Sequence, residues 1–217
     1  MDTNTLREKT EEFVKSRLSG EGTGHDWWHA VRVINIARKI HAIEGGDWSI
    51  IELALLLHDV GDRKVIDKDD DDYSIAEDFL IGQNVSAVTI NAVMSIIKTM
   101  SYSKSFDASE RNDSIEFKIV QDADRLDAIG AIGIGRAFAY GGSRSRLLYD
   151  PDEKPQAFTS SGAYKKSEGS TIQHFYEKLL LIKDKLNTKA AKEIAVKRHE
   201  FMQRFLQEFL DEWNGQK

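Results

Sequence analysis

The chain has no cysteine in its 217 residues. That excludes disulfides, thiolate nucleophiles and every metal site built on sulfur, and leaves His, Asp and Glu as the strong ligands for an ion. Any metal must therefore sit among nitrogen and oxygen donors. Proline is nearly as scarce, with only Pro151 and Pro155, and no long Ser/Gly tract occurs, so no flexible linker divides the sequence. A surplus of positive charge is also missing, since 30 Lys and Arg face 36 Asp and Glu for a net charge of −6. This argues against a stable nucleic-acid partner, although a local basic pocket can still recruit an anion. No apolar run approaches membrane-spanning length, and Met1-Asp2-Thr3-Asn4-Thr5 lacks a basic-then-apolar signal pattern. A cytoplasmic protein with no membrane association is expected. What remains is 41% hydrophobic and 30% charged residues, rich in Ala, Leu, Ile, Glu and Lys, which suits one large all-α domain over 1–217.

Apolar spacing predicts helices along most of the chain. Leu6, Phe13, Val14 and Leu18 place a first amphipathic helix over 5–18, and the glycines of Ser19-Gly20-Glu21-Gly22-Thr23-Gly24 end it. Val33, Ile36, Ala37 and Ile40 form the stripe of a second over 30–41. Asp47 is a candidate N-cap for a helix over 48–58 that is apolar almost all round and so should be central. Helices over 73–83 and 86–98 follow, then an apolar and acidic segment over 115–139. Two more are expected over 171–213, separated near Asn187-Thr188. These place the core at about 20–140 with the C-terminal helices packed on it. The acidic run Asp67–Asp72 lacks the Gly and Glu that a calcium loop requires at Asp72 and Asp78, and reads as a solvated loop. Gly130-Ala131-Ile132-Gly133-Ile134-Gly135 is not a dinucleotide fingerprint, and small residues for close helix approach explain it better. The polar stretch over 141–168 carries both prolines, as binding loops often do.

Chemistry concentrates where the apolar run Ala54-Leu55-Leu56-Leu57 ends in His58-Asp59-Val60-Gly61-Asp62. Burying an imidazole beside a carboxylate costs desolvation that a hydrogen bond or a metal ion must offset, and the pair alone does not choose between these. His29 shares the inward stripe of its helix at four residues from Val33 and seven from Ile36. Asp122 and Asp124 add carboxylates on a third segment. Together these offer two imidazoles and two carboxylates, a set suited to a divalent transition ion.

The order H…HD…D, carried by Trp28-His29-Ala30-Val31-Arg32-Val33, Leu57-His58-Asp59-Val60-Gly61-Asp62 and Asp122-Ala123-Asp124-Arg125-Leu126, resembles the HD-domain superfamily of metal-dependent phosphohydrolases. The strings His25-Asp26-Trp27-Trp28-His29, Asp122 to Ala131 and His174-Phe175-Tyr176-Glu177-Lys178-Leu179 are similar to its bacterial YpgQ/YedJ subgroup, over roughly residues 20 to 210. The resemblance implies an all-helical HD-domain bundle and hydrolysis of nucleoside triphosphates to monophosphate and pyrophosphate. It also implies one divalent ion, Mn2+ first, with Mg2+, Ni2+, Co2+, Fe2+ or Zn2+ as alternatives. By the family's A-D-x-L pattern Asp124 is the fourth ligand beside His29, His58 and Asp59. Asp122, about 200° round the helix, becomes a candidate to support the ligands from behind.

The ion would polarise a phosphoryl oxygen and lower the pKa of its water, with Asp59 indispensable and Asp62 placed to act as base. Arg63 and Lys64 could neutralise phosphate charge, and His25, four residues before His29, could touch phosphate or cap the helix. Arg125, Arg144, Arg146 and Lys165 complete the candidates for binding a small-molecule nucleotide, in a monomer or homodimer. A phosphodiesterase or alarmone hydrolase of the same superfamily, and a non-catalytic binding module, are the competing readings.

Overall fold

The architecture is set by the segment with the least polar surface. In the computed structural model, which describes residues 3–18, 26–62, 66, 72–101, 112–154, 156 and 169–217, that segment is the helix Trp48–Leu57. Asp47 caps it by accepting the Ser49 N–H at 2.8 Å, and Ile51, Leu53, Ala54, Leu55, Leu56 and Leu57 are all buried. A residue buried on every side needs neighbours on every side. With α1 as Thr3–Arg17, α2 as Trp27–Glu44 and Trp48–Leu57 as α3, the chain continues through α4 (Ser74–Gly82), α5 (Ala87–Thr99) and α6 (Ile115–Asp127). Helices α1, α2, α5 and α6 surround α3, and α2 packs chiefly against α6. No strand occurs among the described residues.

The expected run over 115–139 divides into two helices. Ala128 ends α6, Ile129 is extended, and Gly130 takes φ +80°, a conformation that favours glycine, before α7 (Gly130–Ser143) begins. A Cβ on Gly133 would collide with the Ala128 carbonyl, so this glycine serves the sharp corner rather than helix–helix approach. Close approach does explain Gly141, where a Cβ would meet the Thr171 hydroxyl. Helix α7 also runs through Gly141-Gly142-Ser143, which the sequence reading assigns to a loop.

The expected break near Asn187-Thr188 is present, but the helix before it is split. Helix α8 (Thr171–Glu177) stops at Lys178, and Leu179–Lys185 winds as a 3₁₀ segment. Leu179 and Ile182 are buried three residues apart, the repeat of a 3₁₀ turn. The last helix, α9 (Lys189–Trp213), packs on α7, α2 and α6 and so closes over the core.

Asp122 fastens α9 to α6. Its carboxylate accepts from the Asn187 N–H at 2.9 Å, Asn187 Nδ2 at 2.8 Å, the Thr188 N–H at 2.7 Å and Thr188 Oγ1 at 2.8 Å. Thr188 in turn caps α9 through the Ala191 N–H. The expectation that Asp122 supports metal ligands is therefore corrected, because its oxygens are committed to the start of α9. Truncation to Ala strands the buried Thr188 N–H and hydroxyl. Asp122→Ala is expected to cost roughly 2–4 kcal/mol and to lower the thermal midpoint by about 5–15 °C while leaving metal affinity unchanged, as read by calorimetry with and without Mn2+.

Candidate metal centre

Three helix ends bring the ligand-type side chains together. Asp26 caps α2 by accepting the His29 N–H at 2.8 Å, which fixes the first turn and points His29, 1% exposed, into the core. His58 closes α3, so the apolar run before it delivers His58 and Asp59 at the end of the most buried element. Beyond them, Gly61 lies so close to Asp72 that a Cβ would strike the Asp72 carbonyl, and the Asp72 N–H bonds the Gly61 carbonyl at 2.8 Å. Asp124 projects from α6, one turn before its end.

Ligand atoms of His29, His58 and Asp59 all lie within 4.8 Å of one another. His29 Nε2 stands 3.2 Å from His58 Nε2, 3.6 Å from Asp59 Oδ2 and 3.4 Å from Asp124 Oδ1. His58 Nε2 is 3.3 Å from the same Asp59 oxygen. The Asp124 side chain keeps a third of its surface exposed, whereas Asp59 is buried, so the centre opens toward Asp124.

The outer nitrogens settle the tautomers. His29 Nδ1 lies 2.8 Å from Asp127 Oδ2, and His58 Nδ1 lies 2.8 Å from the Leu55 carbonyl. Carboxylate and carbonyl only accept, so each Nδ1 carries the hydrogen, and both Nε2 lone pairs face the centre beside two carboxylate oxygens. Four electron-pair donors at this separation repel unless a proton or a cation stands among them. The residues therefore fit a divalent ion, with the hydrogen-bonded imidazole arrangement that metal sites use.

In the protein alone, protons take that role. Burial opposes charge on His58, but the Asp59 carboxylate outweighs it and pushes the pKa up to about 9. Burial likewise opposes charge on His29, and hydrogen bonds to Asp124 and Asp127 still raise it. Desolvation works against the Asp124 carboxylate, yet His29 and His58 hold it well below the usual range. Asp127, buried and also opposed by desolvation, is held low by His29, Arg32 and Arg136.

Asp127 is a functional side chain that the H…HD…D pattern does not single out. Its carboxylate accepts from His29 Nδ1, from Arg32 Nε at 2.9 Å and Nη2 at 3.1 Å, and from Arg136 Nη1 at 2.8 Å. The available signal was spacing: Asp127 follows Asp124 by three residues, as Arg32 follows His29, which puts each pair on one helix face.

The remaining candidates divide. Asp62 is half-buried in the turn after Asp59, its N–H bonded to the Asp59 carbonyl at 3.1 Å. Arg125 is buried and donates from Nη1 to the Lys185 carbonyl, which ties α6 to the 3₁₀ segment and corrects its assignment to substrate. Arg144 and Arg146 both lie 5.7 Å from the Tyr140 ring at the far end of α7. His25, Arg63, Lys64 and Lys165 lie outside the described residues.

Known proteins are similar to this chain in sequence and fold. The HD domain matches residues 27–129, from the start of α2 to the α6–α7 corner. YpgQ of Bacillus subtilis (strain 168) is 38% identical over 201 residues, 93% of this chain and 90% of its own. The crystal structure of B. subtilis YpgQ in complex with ADP is similar at TM-score 0.74 and 35% identity, covering 95% and 96% of the two chains. A crystal structure from Lactobacillus plantarum gives TM-score 0.87 at 36% identity over 99% and 100%. An HD-superfamily hydrolase from Bacillus thuringiensis gives 0.75 at 41% over 98% of each chain.

Two outcomes are expected. Asp127→Asn removes the anion that orients His29, and Mn2+ affinity measured by titration calorimetry should fall by about 10–100-fold. Because His58 is raised from 6.5 to about 9, its charge stabilises the metal-free fold fully below pH 6.5, and that stability is lost as pH rises through 9. Ligation needs the neutral ring, so Mn2+ affinity should instead increase across the same window. Thermal midpoints in chelator and in Mn2+, compared at pH 6.5 and 9, should diverge in those opposite directions.

Proposed function

The chain belongs to the HD-domain family, and from that premise we propose that it is a metal-dependent phosphohydrolase that cleaves nucleoside triphosphates to the monophosphate and pyrophosphate. The observation that carries this reading is the convergence of His29, His58 and Asp59 within 4.8 Å, with Asp124 Oδ1 at the open side. The ADP complex of YpgQ, a relative covering nearly the whole chain, supports a nucleotide as substrate.

His29, His58, Asp59 and Asp124 would hold one divalent ion, Mn2+ in our reading. When bound, such an ion supplies Lewis-acid polarisation of a phosphoryl oxygen and acidifies water. The chain's own residues do the rest. Asp127 and the Leu55 carbonyl hold both imidazoles in the tautomer that presents Nε2 to the centre. Asp62 is assigned as the base that takes a proton from the attacking water, from a turn held at Gly61 by its bonded neighbour Asp72. Attack at the α-phosphorus breaks its bond to the bridging oxygen, and pyrophosphate leaves. His25, Arg63, Lys64 and Lys165 are assigned to the substrate's phosphates, and Arg144 and Arg146 to its outer portion. We place the protein in the cytoplasm as a monomer or homodimer; no helix among the described residues is long and apolar enough to cross a membrane.

A panel of nucleoside triphosphates, cyclic nucleotides and alarmones, assayed with and without Mn2+, tests the substrate. Monophosphate and pyrophosphate should appear in equal amounts from the triphosphates. Turnover confined to cyclic nucleotides or alarmones contradicts the assignment, and no turnover of any compound favours a binding module. Asp59→Ala should lower kcat/KM by at least about 10³-fold, equivalent to about 4 kcal/mol of transition-state stabilisation, and full turnover in that variant would sink the metal reading.

A further inference from the structure

The proposed reaction leaves an electrostatic gap. Asp59 and Asp124 carry two negative charges that a divalent ion would only balance, and Asp62 adds a third nearby. A polyphosphate chain therefore needs cations beyond the metal ligands, and Arg63, Lys64 and Lys165, assigned above to the phosphates, lie outside the described residues. Arg125 is committed elsewhere, and Arg144 and Arg146 lie at the far end of α7 against Tyr140.

Two other guanidinium groups border the centre. Arg32 lies one turn along α2 from His29, and Arg136 reaches in from α7. Both close on Asp127, which itself holds His29 Nδ1, so a single imidazole ring separates this hub from the ligand atoms. Arg32 binds with a two-pronged fork, Nε to Oδ1 and Nη2 to Oδ2, and Arg136 uses Nη1 alone. One carboxylate against two guanidiniums leaves a surplus of one positive charge. Exposure divides the hub by role: the Asp127 side chain is 2% exposed, whereas Arg32 is 30% and Arg136 18% exposed. The carboxylate is sealed inside, and the remaining N–H groups of the two arginines have no partner among the described residues.

We infer that Arg32 and Arg136, fixed side by side on Asp127, form the clamp that binds the phosphate chain of the nucleotide beside the metal ligands. The inference rests on the phosphohydrolase reading for its substrate but not for its geometry. A guanidinium anchored on one edge has already lost its rotamer freedom, so its other edge can meet phosphate oxygens at little further entropic cost. The planar fork suits phosphate, and the Asp127 carboxylate that orients His29 stays in place when either arginine is replaced.

Inorganic tripolyphosphate is the probe, titrated calorimetrically into the full chain in chelator, with Arg32→Gln, Arg136→Gln and the Lys variant at each position. Wild type should bind, each Gln variant should weaken binding by about tenfold or more, and Lys should restore only part because it keeps charge without the fork. Mn2+ affinity should stay within about threefold, a selectivity that a purely structural salt bridge does not produce. In turnover, KM for a nucleoside triphosphate should rise about tenfold with kcat little changed. Where a Gln variant does not fold, the Lys variant reads the same comparison. Absence of tripolyphosphate binding in wild type, or Gln variants that bind within twofold of it, overturns the clamp. Arginine-dependent binding without hydrolysis of any nucleotide leaves the clamp standing and removes the hydrolase reading. Hydrolysis with unchanged KM in both Gln variants does the reverse.

Discussion

Two imidazole nitrogens 3.2 Å apart, each with its ring's other nitrogen already donating outward, form the constraint on which the rest of the structure depends. Neither ring can turn its hydrogen inward without abandoning Asp127 or the Leu55 carbonyl. The inner space is thereby reserved for a positive charge, whether protons shared with Asp59 and Asp124 or a divalent ion. Holding four donors against their mutual repulsion requires a rigid frame, and the frame accounts for much of the sequence.

That frame is made of helix ends. Asp26 caps the turn that carries His29, and the leucines of α3 bury the helix that ends in His58. Helix α6 brings Asp124 and Asp127 on one face, while Asp122, on the other, is used to seat α9. One short acidic segment thus divides its labour, with one carboxylate at the centre, one supporting a histidine and one holding the C-terminal helix. The sharp corner at Gly130 then turns α7 back so that Arg136 meets Asp127.

Much of this was legible in the amino-acid order. The stripe through Val33, Ile36 and Ile40 placed His29 inward, and the apolar run before His58 marked the central helix, because burial follows helical periodicity directly. The helical class followed from composition and spacing in the same way. Spacing puts Asp127 on the face of Asp124 but does not identify its partners, which come from residues 95 positions back and 9 ahead and are juxtaposed only by the fold. Arg125 misled for the complementary reason: adjacency to Asp124 in sequence is a turn of about 100° on a helix, which aims it at the 3₁₀ segment instead of the centre. The corner at 128–130 and the 3₁₀ winding after Lys178 depend on tight backbone contacts and a period of three that a search for 3.6-residue repeats passes over.

The most direct test of the central claim is an anomalous difference map from a crystal grown with Mn2+. A single peak bounded by His29 Nε2, His58 Nε2 and the carboxylates of Asp59 and Asp124 is the predicted result. A centre without a peak, or Mn2+ bound only at the acidic run 67–72, would contradict it.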